Sequence, residues 1–234
     1  MEFFTSILEF FREQEAIIYG AGLLILVLVL LKIFEQSWLF YRQALYKASI
    51  EWALLEIIVP REVMRTPRAM EQFFLNLHGL RNAPGDLLEK YIDGEVTQWW
   101  SLEMISYGGE IHFYIRTPKR HQKMVAAGIY AQYPNAEVIE VIDYAADIPE
   151  RTSGYYEQGL NMFGSEILLR KEDYYPITIY EVFEKDKTEL SIDPISALLE
   201  VLANIRKEER VYIQILIRPR GADWNEEADR KSVV

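Results

Sequence analysis

The apolar positions of this chain follow three rhythms. One unbroken run stands near the start, and after it come short stretches with apolar residues at every second position, interleaved with stretches where they recur at every third and fourth. The run, residues 16–31 (AIIYGAGLLILVLVLL), holds 16 consecutive uncharged residues. Counted on to Phe34, it makes a helix of about 28 Å at about 1.5 Å per residue, close to a hydrocarbon core of about 30 Å. This predicts a transmembrane helix over 16–34, with Ala16, Gly20, Leu23, Leu26 and Leu30 in lipid. Lys32 would carry its ammonium to the interface, and Trp38, with Phe40 and Tyr41, would sit in an aromatic belt. A buried core helix is the alternative for a run this short. The following FEQSWLFYRQALYKAS has neither Gly nor Pro, so the helix is expected to continue as a stalk over 35–50, with 1–15 as a short extracytoplasmic terminus.

Beyond the stalk the period changes. Residues 52–59 (WALLEIIV) read as a strand stopped by Pro60. Thr66-Pro67 opens a helix with Met70, Phe73, Phe74 and Leu77 at spacings of three and four, closed by Gly79. Residues 97–106 and 111–115 read as a hairpin about the turn Tyr107-Gly108-Gly109-Glu110. Pro118 opens a second helix, running to about Tyr133, and 136–142 (AEVIEVI) form another strand. Strand, helix, strand, strand, helix, strand over 51–143 is the ferredoxin-like βαββαβ order. Residues 144–164 read as a linker. A second related or partial α+β unit is expected over 165–222, with strands at 167–170 and 177–183, a helix opened by Asp193-Pro194 and a strand at 211–217 (VYIQILI). Residues 223–234 read as a tail or a truncated continuation. The expected fold class is α+β behind one transmembrane helix.

Charge refines this picture. Four acids (Glu2, Glu9, Glu13, Glu15) against Arg12 precede the run, and no small-residue cleavage site follows it, which favours an uncleaved anchor over a signal peptide. Arg42 and Lys47 join Lys32 after the run, so the amino end is expected outside and the folded part cytoplasmic, at an inner membrane. Zero cysteines agree with a reducing compartment. With 36 acidic and 25 basic residues the net charge is −11, which argues against a general nucleic-acid-coating surface. One local exception, Arg116, Lys119, Arg120 and Lys123, stands at an expected helix start. It reads either as an anion or partner patch aided by the helix dipole or as an ordinary solvated face.

The familiar catalytic signatures are missing from this sequence. There is no GxxxxGK[ST] loop to cradle phosphates, and the GxG at Gly20 and Gly22 lies within the apolar run. His78, His112 and His121 lack metal-ligand spacing, and no GxSxG elbow occurs. His112 reads as a half-buried sheet residue and His121 as part of an exposed first helical turn. No enzyme activity, cofactor or metal is expected of this chain, with a dispersed-site enzyme kept as an alternative.

Taken together, LEIIVPRE with RTPRAMEQFFLNLHG, SLEMISYGGEIHFYIRTP, IYAQYPNAEVIEV and VYIQILIRP resemble the amino-terminal region of membrane-anchored type IV secretion or conjugation-type ATPases of the DNA-transfer family. In that family a P-loop motor follows the region. The resemblance implies a cytoplasmic adaptor that positions a P-loop ATPase, with the bilayer, further copies of itself and secretion-complex subunits as partners. Nucleic acid would be met only indirectly or through the small basic patch. A pilus or secretion platform protein with extracytoplasmic ferredoxin-like domains is the alternative.

Overall fold

The computed structural model describes residues 2–60, 68–83, 85–149, 152–170 and 195–221. Helix α1 (Glu2–Ser49) is a single helix of 48 residues. The strands are β1 (Trp52–Ile58), β2 (Trp100–Tyr107), β3 (Glu110–Pro118), β4 (Glu137–Val141) and β5 (Arg210–Ile217). Among the described residues the remaining α-helices are α2 (Arg68–Gly79), α3 (Gln122–Gln132), α4 (Thr152–Glu157) and α5 (Ser196–Ala203), and Glu89–Asp93 form one π-helical turn. The chain divides into two units, α1 with residues 83–96, and residues 50–82 with everything from Thr97 onward.

In the second unit one antiparallel sheet carries the strand order β4-β1-β3-β2-β5. Period-two alternation gives each strand two faces. Leu55, Trp100 and Ile115 point to one face, where they bury Phe73 and Leu77 of α2 and Val125 and Ile129 of α3. The three-and-four spacing of those helical residues is the reason they meet a single core. Leu54, Ile105 and Tyr114, one residue out of phase, point to the other face. The β2–β3 turn is built on Gly108 (φ 56°) and Gly109 (φ 99°), the positive dihedrals that a two-residue hairpin of this hand demands. A Cβ on Gly109 would also lie 2.6 Å from the Ala203 carbonyl oxygen, so this corner admits only glycine.

Several boundaries differ from the sequence reading. The helix expected from Pro118 starts later, because Pro118 still pairs with Trp52 and the Lys119 amide donates to the Glu51 carbonyl at 2.8 Å. A 3-10 turn, Lys119–His121, then leads into α3. The expected linker contains a 3-10 turn, Tyr144–Asp147, and α4. Residues 167–170 form no strand. The strand at 177–183, the Thr66-Pro67 and Asp193-Pro194 helix openings and the tail 223–234 lie outside the described residues.

The largest correction concerns 211–217. These residues do not start a second sheet; β5 pairs along the whole of β2, from Trp100 with Ile217 to Tyr107 with Arg210. Ser106 Oγ donates to the Leu202 carbonyl at 2.7 Å, fixing α5 against the same strand. An apolar alternating run announces a strand, whereas the free edge it joins depends on residues more than a hundred positions away.

In the first unit, residues 83–96 fold back on α1. Trp38 Nε1 donates to the Tyr91 carbonyl and the Tyr91 hydroxyl to Glu35 Oε1, both at 2.7 Å. Gly94 (φ 72°) sits so close to the Arg42 backbone that any Cβ would overlap it.

Candidate functional site on the sheet face opposite α2 and α3

Cross-strand register writes the composition of this face. One row reads Val141, Leu54, Arg116, Ser101 and Leu216; the next reads Ile139, Glu56, Tyr114, Glu103 and Gln214. A third brings His112, Ile105 and Tyr212 abreast. Charged and aromatic side chains therefore occupy the centre of a sheet whose opposite face is apolar.

Arg116 is the hub. Its Nε donates to Glu103 Oε1 at 3.1 Å, and its two terminal nitrogens donate to both oxygens of Asp143 at 2.5 and 3.0 Å. This is the planar fork matched to a carboxylate that lysine cannot reproduce. Glu103 is fully buried at its side chain, and its Oε2 has no hydrogen-bond partner among the described residues. Asp143 also accepts from the Ala145 amide at 2.9 Å, which caps the Tyr144–Asp147 turn. The clasp thus fastens that turn to the sheet.

Aromatic rings close around it. Tyr144 stacks on Tyr212 at 5.1 Å and 14°, lies 5.7 Å from the Arg116 guanidinium, and accepts from Gln214 Nε2 at 2.6 Å. Tyr107 meets both Tyr212 and His112 edge-on, and His112 stacks on Tyr114 while its Nδ1 lies 2.7 Å from Glu56 Oε1. His112 is thereby half-buried in the sheet, in line with its sequence reading.

The Arg116 fork holds the Asp143 carboxyl below its ordinary range, and Asp143 in turn raises the guanidinium. Because the folded-state value of Asp143 is depressed, its stabilising contribution is present above the ordinary carboxylate pKa and is lost only as pH falls through the lowered value. Burial, with the Glu103 carboxylate second, pushes the Tyr144 phenol up to about 12. Tyr107 and Tyr114 are raised chiefly by burial as well. These tyrosines stay neutral at physiological pH. The arrangement is suited to holding shape and to offering neutral rings; among the described residues no group of three or more metal-ligating side chains converges.

The basic residues singled out by sequence do not form one patch. Arg116 is held by two carboxylates on the sheet. Lys119, Arg120 and Lys123 are exposed at the turn before α3 and in its first turn, with Arg120 Nε donating to Gln98 Oε1 at 3.1 Å. Nothing in the order of residues pairs Arg116 with Glu103 and Asp143, respectively 13 and 27 positions away. A glutamate in the middle of the strand WSLEMISY was the one available signal for a buried charge partner.

His121, expected to be exposed, is half-buried instead and stacks on Trp100 at 6.2 Å. Burial and then Arg120 lower its pKa. The unfolded chain therefore binds the proton more readily, so stability is complete above the ordinary histidine pKa and falls as pH drops toward the lowered value. His121→Phe keeps the stacking and removes this proton uptake. Thermal unfolding of the detergent-solubilised chain at pH 7.5 and at pH 5.5 should show a smaller acid loss for the variant than for the parent.

On α1, residues Tyr19–Ser49 include a window long and apolar enough to cross a membrane, and none of that window is buried within the protein. Leu23, Leu26 and Leu30 are all more than half exposed. Gly20 has open space around it, while the side chain of Ala16 lies outside the described residues. Lys32 pairs with Glu35 at 2.7 Å, and Trp38 is held by the Tyr91 carbonyl.

A family model described as a domain of unknown function (DUF8128) matches residues 41–234. Comparison with curated proteins and with solved structures gives no match.

Proposed function

We propose that this chain, which belongs to the DUF8128 family, is a membrane-anchored cytoplasmic module that positions a P-loop ATPase of a type IV secretion or conjugation-like machine. The observation that carries the anchoring is α1: its apolar window is wholly unburied, and the same helix runs on without a break to Ser49, three positions before β1. From Lys32 to Ser49 it rises about 25 Å, a stalk with neither Gly nor Pro. Such a tether replaces a search through solution by a fixed local concentration at the bilayer.

The βαββαβ order with strands β4-β1-β3-β2 supports a ferredoxin-like unit, here widened by β5 at one edge. The assignment to the secretion machine comes from the resemblance of five sequence blocks. An in-frame or adjacent P-loop ATPase coding sequence would support it, and pilin genes there would favour the platform reading. Contact with nucleic acid, on a chain of net charge −11, falls to Lys119, Arg120 and Lys123 or to the motor.

Orientation is tested by a single cysteine, because the chain has none of its own. Lys47→Cys should resist an impermeant thiol reagent in intact cells and react after permeabilisation. Labelling in intact cells would place the folded part outside and overturn the cytoplasmic assignment.

A further inference from the structure

We propose that residues 83–96 are a second membrane contact, a short interfacial element that rests its leucines in the outer part of the bilayer beside α1. The proposal rests on the membrane reading of α1.

This segment is a self-capped turn. Asp86 Oδ1 accepts from the Glu89 amide at 2.8 Å, an N-cap bond, and Glu89 Oε2 accepts from the Gly85 amide just ahead of it. At the other end the Glu95 amide donates to the Glu89 carbonyl at 2.9 Å, with Gly94 left-handed. A turn closed by its own hydrogen bonds at both ends would normally bury its apolar side chains. Instead Leu87, Leu88 and Ile92 are 73, 60 and 53% exposed.

Its attachment point says what covers them. Tyr91 bonds to Glu35 and Trp38, which follow Lys32 by three and six positions, or about 4.5 and 9 Å along the helix. If the apolar core ends near Lys32 to Phe34, that is headgroup depth, since the polar zone spans about 5–8 Å on each side of the hydrocarbon. Phe34 and Phe40 on the same stretch of α1 are themselves 65 and 75% exposed. Leucines held at this level by hydrogen bonds to an interfacial tryptophan fit the acyl boundary, where amphipathic elements bury apolar faces by about 5–10 Å.

Charge selects the lipid. Asp86, Glu89, Asp93 and Glu95 outnumber Lys90 between residues 85 and 95, so attraction to anionic headgroups is not the driving force. The contact is apolar, suits a zwitterionic surface, and is indifferent to salt.

The test uses the full chain reconstituted in phosphatidylcholine vesicles, with an environment-sensitive fluorophore on one introduced cysteine at a time. Leu88→Cys should give blue-shifted emission quenched by lipids brominated near the headgroup, unchanged on raising salt. Leu26→Cys should be quenched by lipids brominated deep in the chain. Lys47→Cys, about 22 Å beyond Lys32, should escape both. Quenching at position 26 without quenching at 88 overturns the interfacial element and leaves the anchor standing. Loss of quenching at 26 overturns the anchor and this proposal with it. Equal shallow quenching at 47 and 88 means a helix lying along the surface and overturns the proposed depth, and release of position 88 by salt overturns its apolar basis.

Discussion

Arg116→Ala is expected to cost about 3–5 kcal/mol of folding free energy, the toll of leaving a buried carboxylate without its counter-charge. Glu103 has no exposed side-chain surface, and Arg116 is its charge partner. The same substitution releases Asp143, and with it the turn that places Tyr144 against Tyr212. Asp143→Asn should be milder, about 1 kcal/mol or less, because that carboxylate is 42% exposed and screened, and Glu103 keeps its partner. The double variant Arg116→Met with Glu103→Leu removes both charges together and should recover most of the loss, as apolar replacements of buried ion pairs commonly do. Urea unfolding of the detergent-solubilised chain measures all three, with Lys119→Ala as an exposed control expected within about 0.5 kcal/mol of the parent. If Arg116→Ala unfolds like that control, the clasp has no structural weight.

Leu24→Arg with Leu26→Arg should move the chain from the membrane pellet to the supernatant of an alkaline carbonate wash. Each arginine near the centre of a span disfavours insertion by about 2.5–3.5 kcal/mol, and two together by about 5–7 kcal/mol. Both positions lie in the unburied apolar window, so neither substitution removes a contact within the folded unit. The parent chain should remain in the pellet. A parent found in solution after lysis without detergent would end the membrane reading, and the interfacial role of residues 83–96 with it.

Much of the fold was legible because it is local. The run at 16–31, the helical spacing of Phe73 and Leu77, and the Gly108-Gly109 turn each declare a structure through neighbours a few residues away. Strand boundaries slipped where a nonlocal hydrogen bond decided them, as at Pro118, which remains in the ladder opposite Trp52. The candidate site was harder. Arg116 was visible as a cation near other cations, yet its environment is set by register: Glu103 lies diagonally across on β2, and Asp143 arrives from beyond β4. Reading charge along the chain grouped Arg116 with Lys119, Arg120 and Lys123; reading it across the sheet grouped Arg116 with acids.

By itself, then, the sequence determined the long apolar helix, its unbroken run to Ser49, and the succession of strands and main helices from Trp52 to Val141, since periodicity and turn chemistry act over one or two turns of chain. Only the tertiary structure decided that β5 completes the first sheet, that Arg116 is bound by carboxylates on the face away from α2 and α3, and that residues 83–96 return to α1. Each of those depends on which free edge, which facing row or which helix surface is nearest in space, and chain entropy makes such distant pairings invisible to any short window.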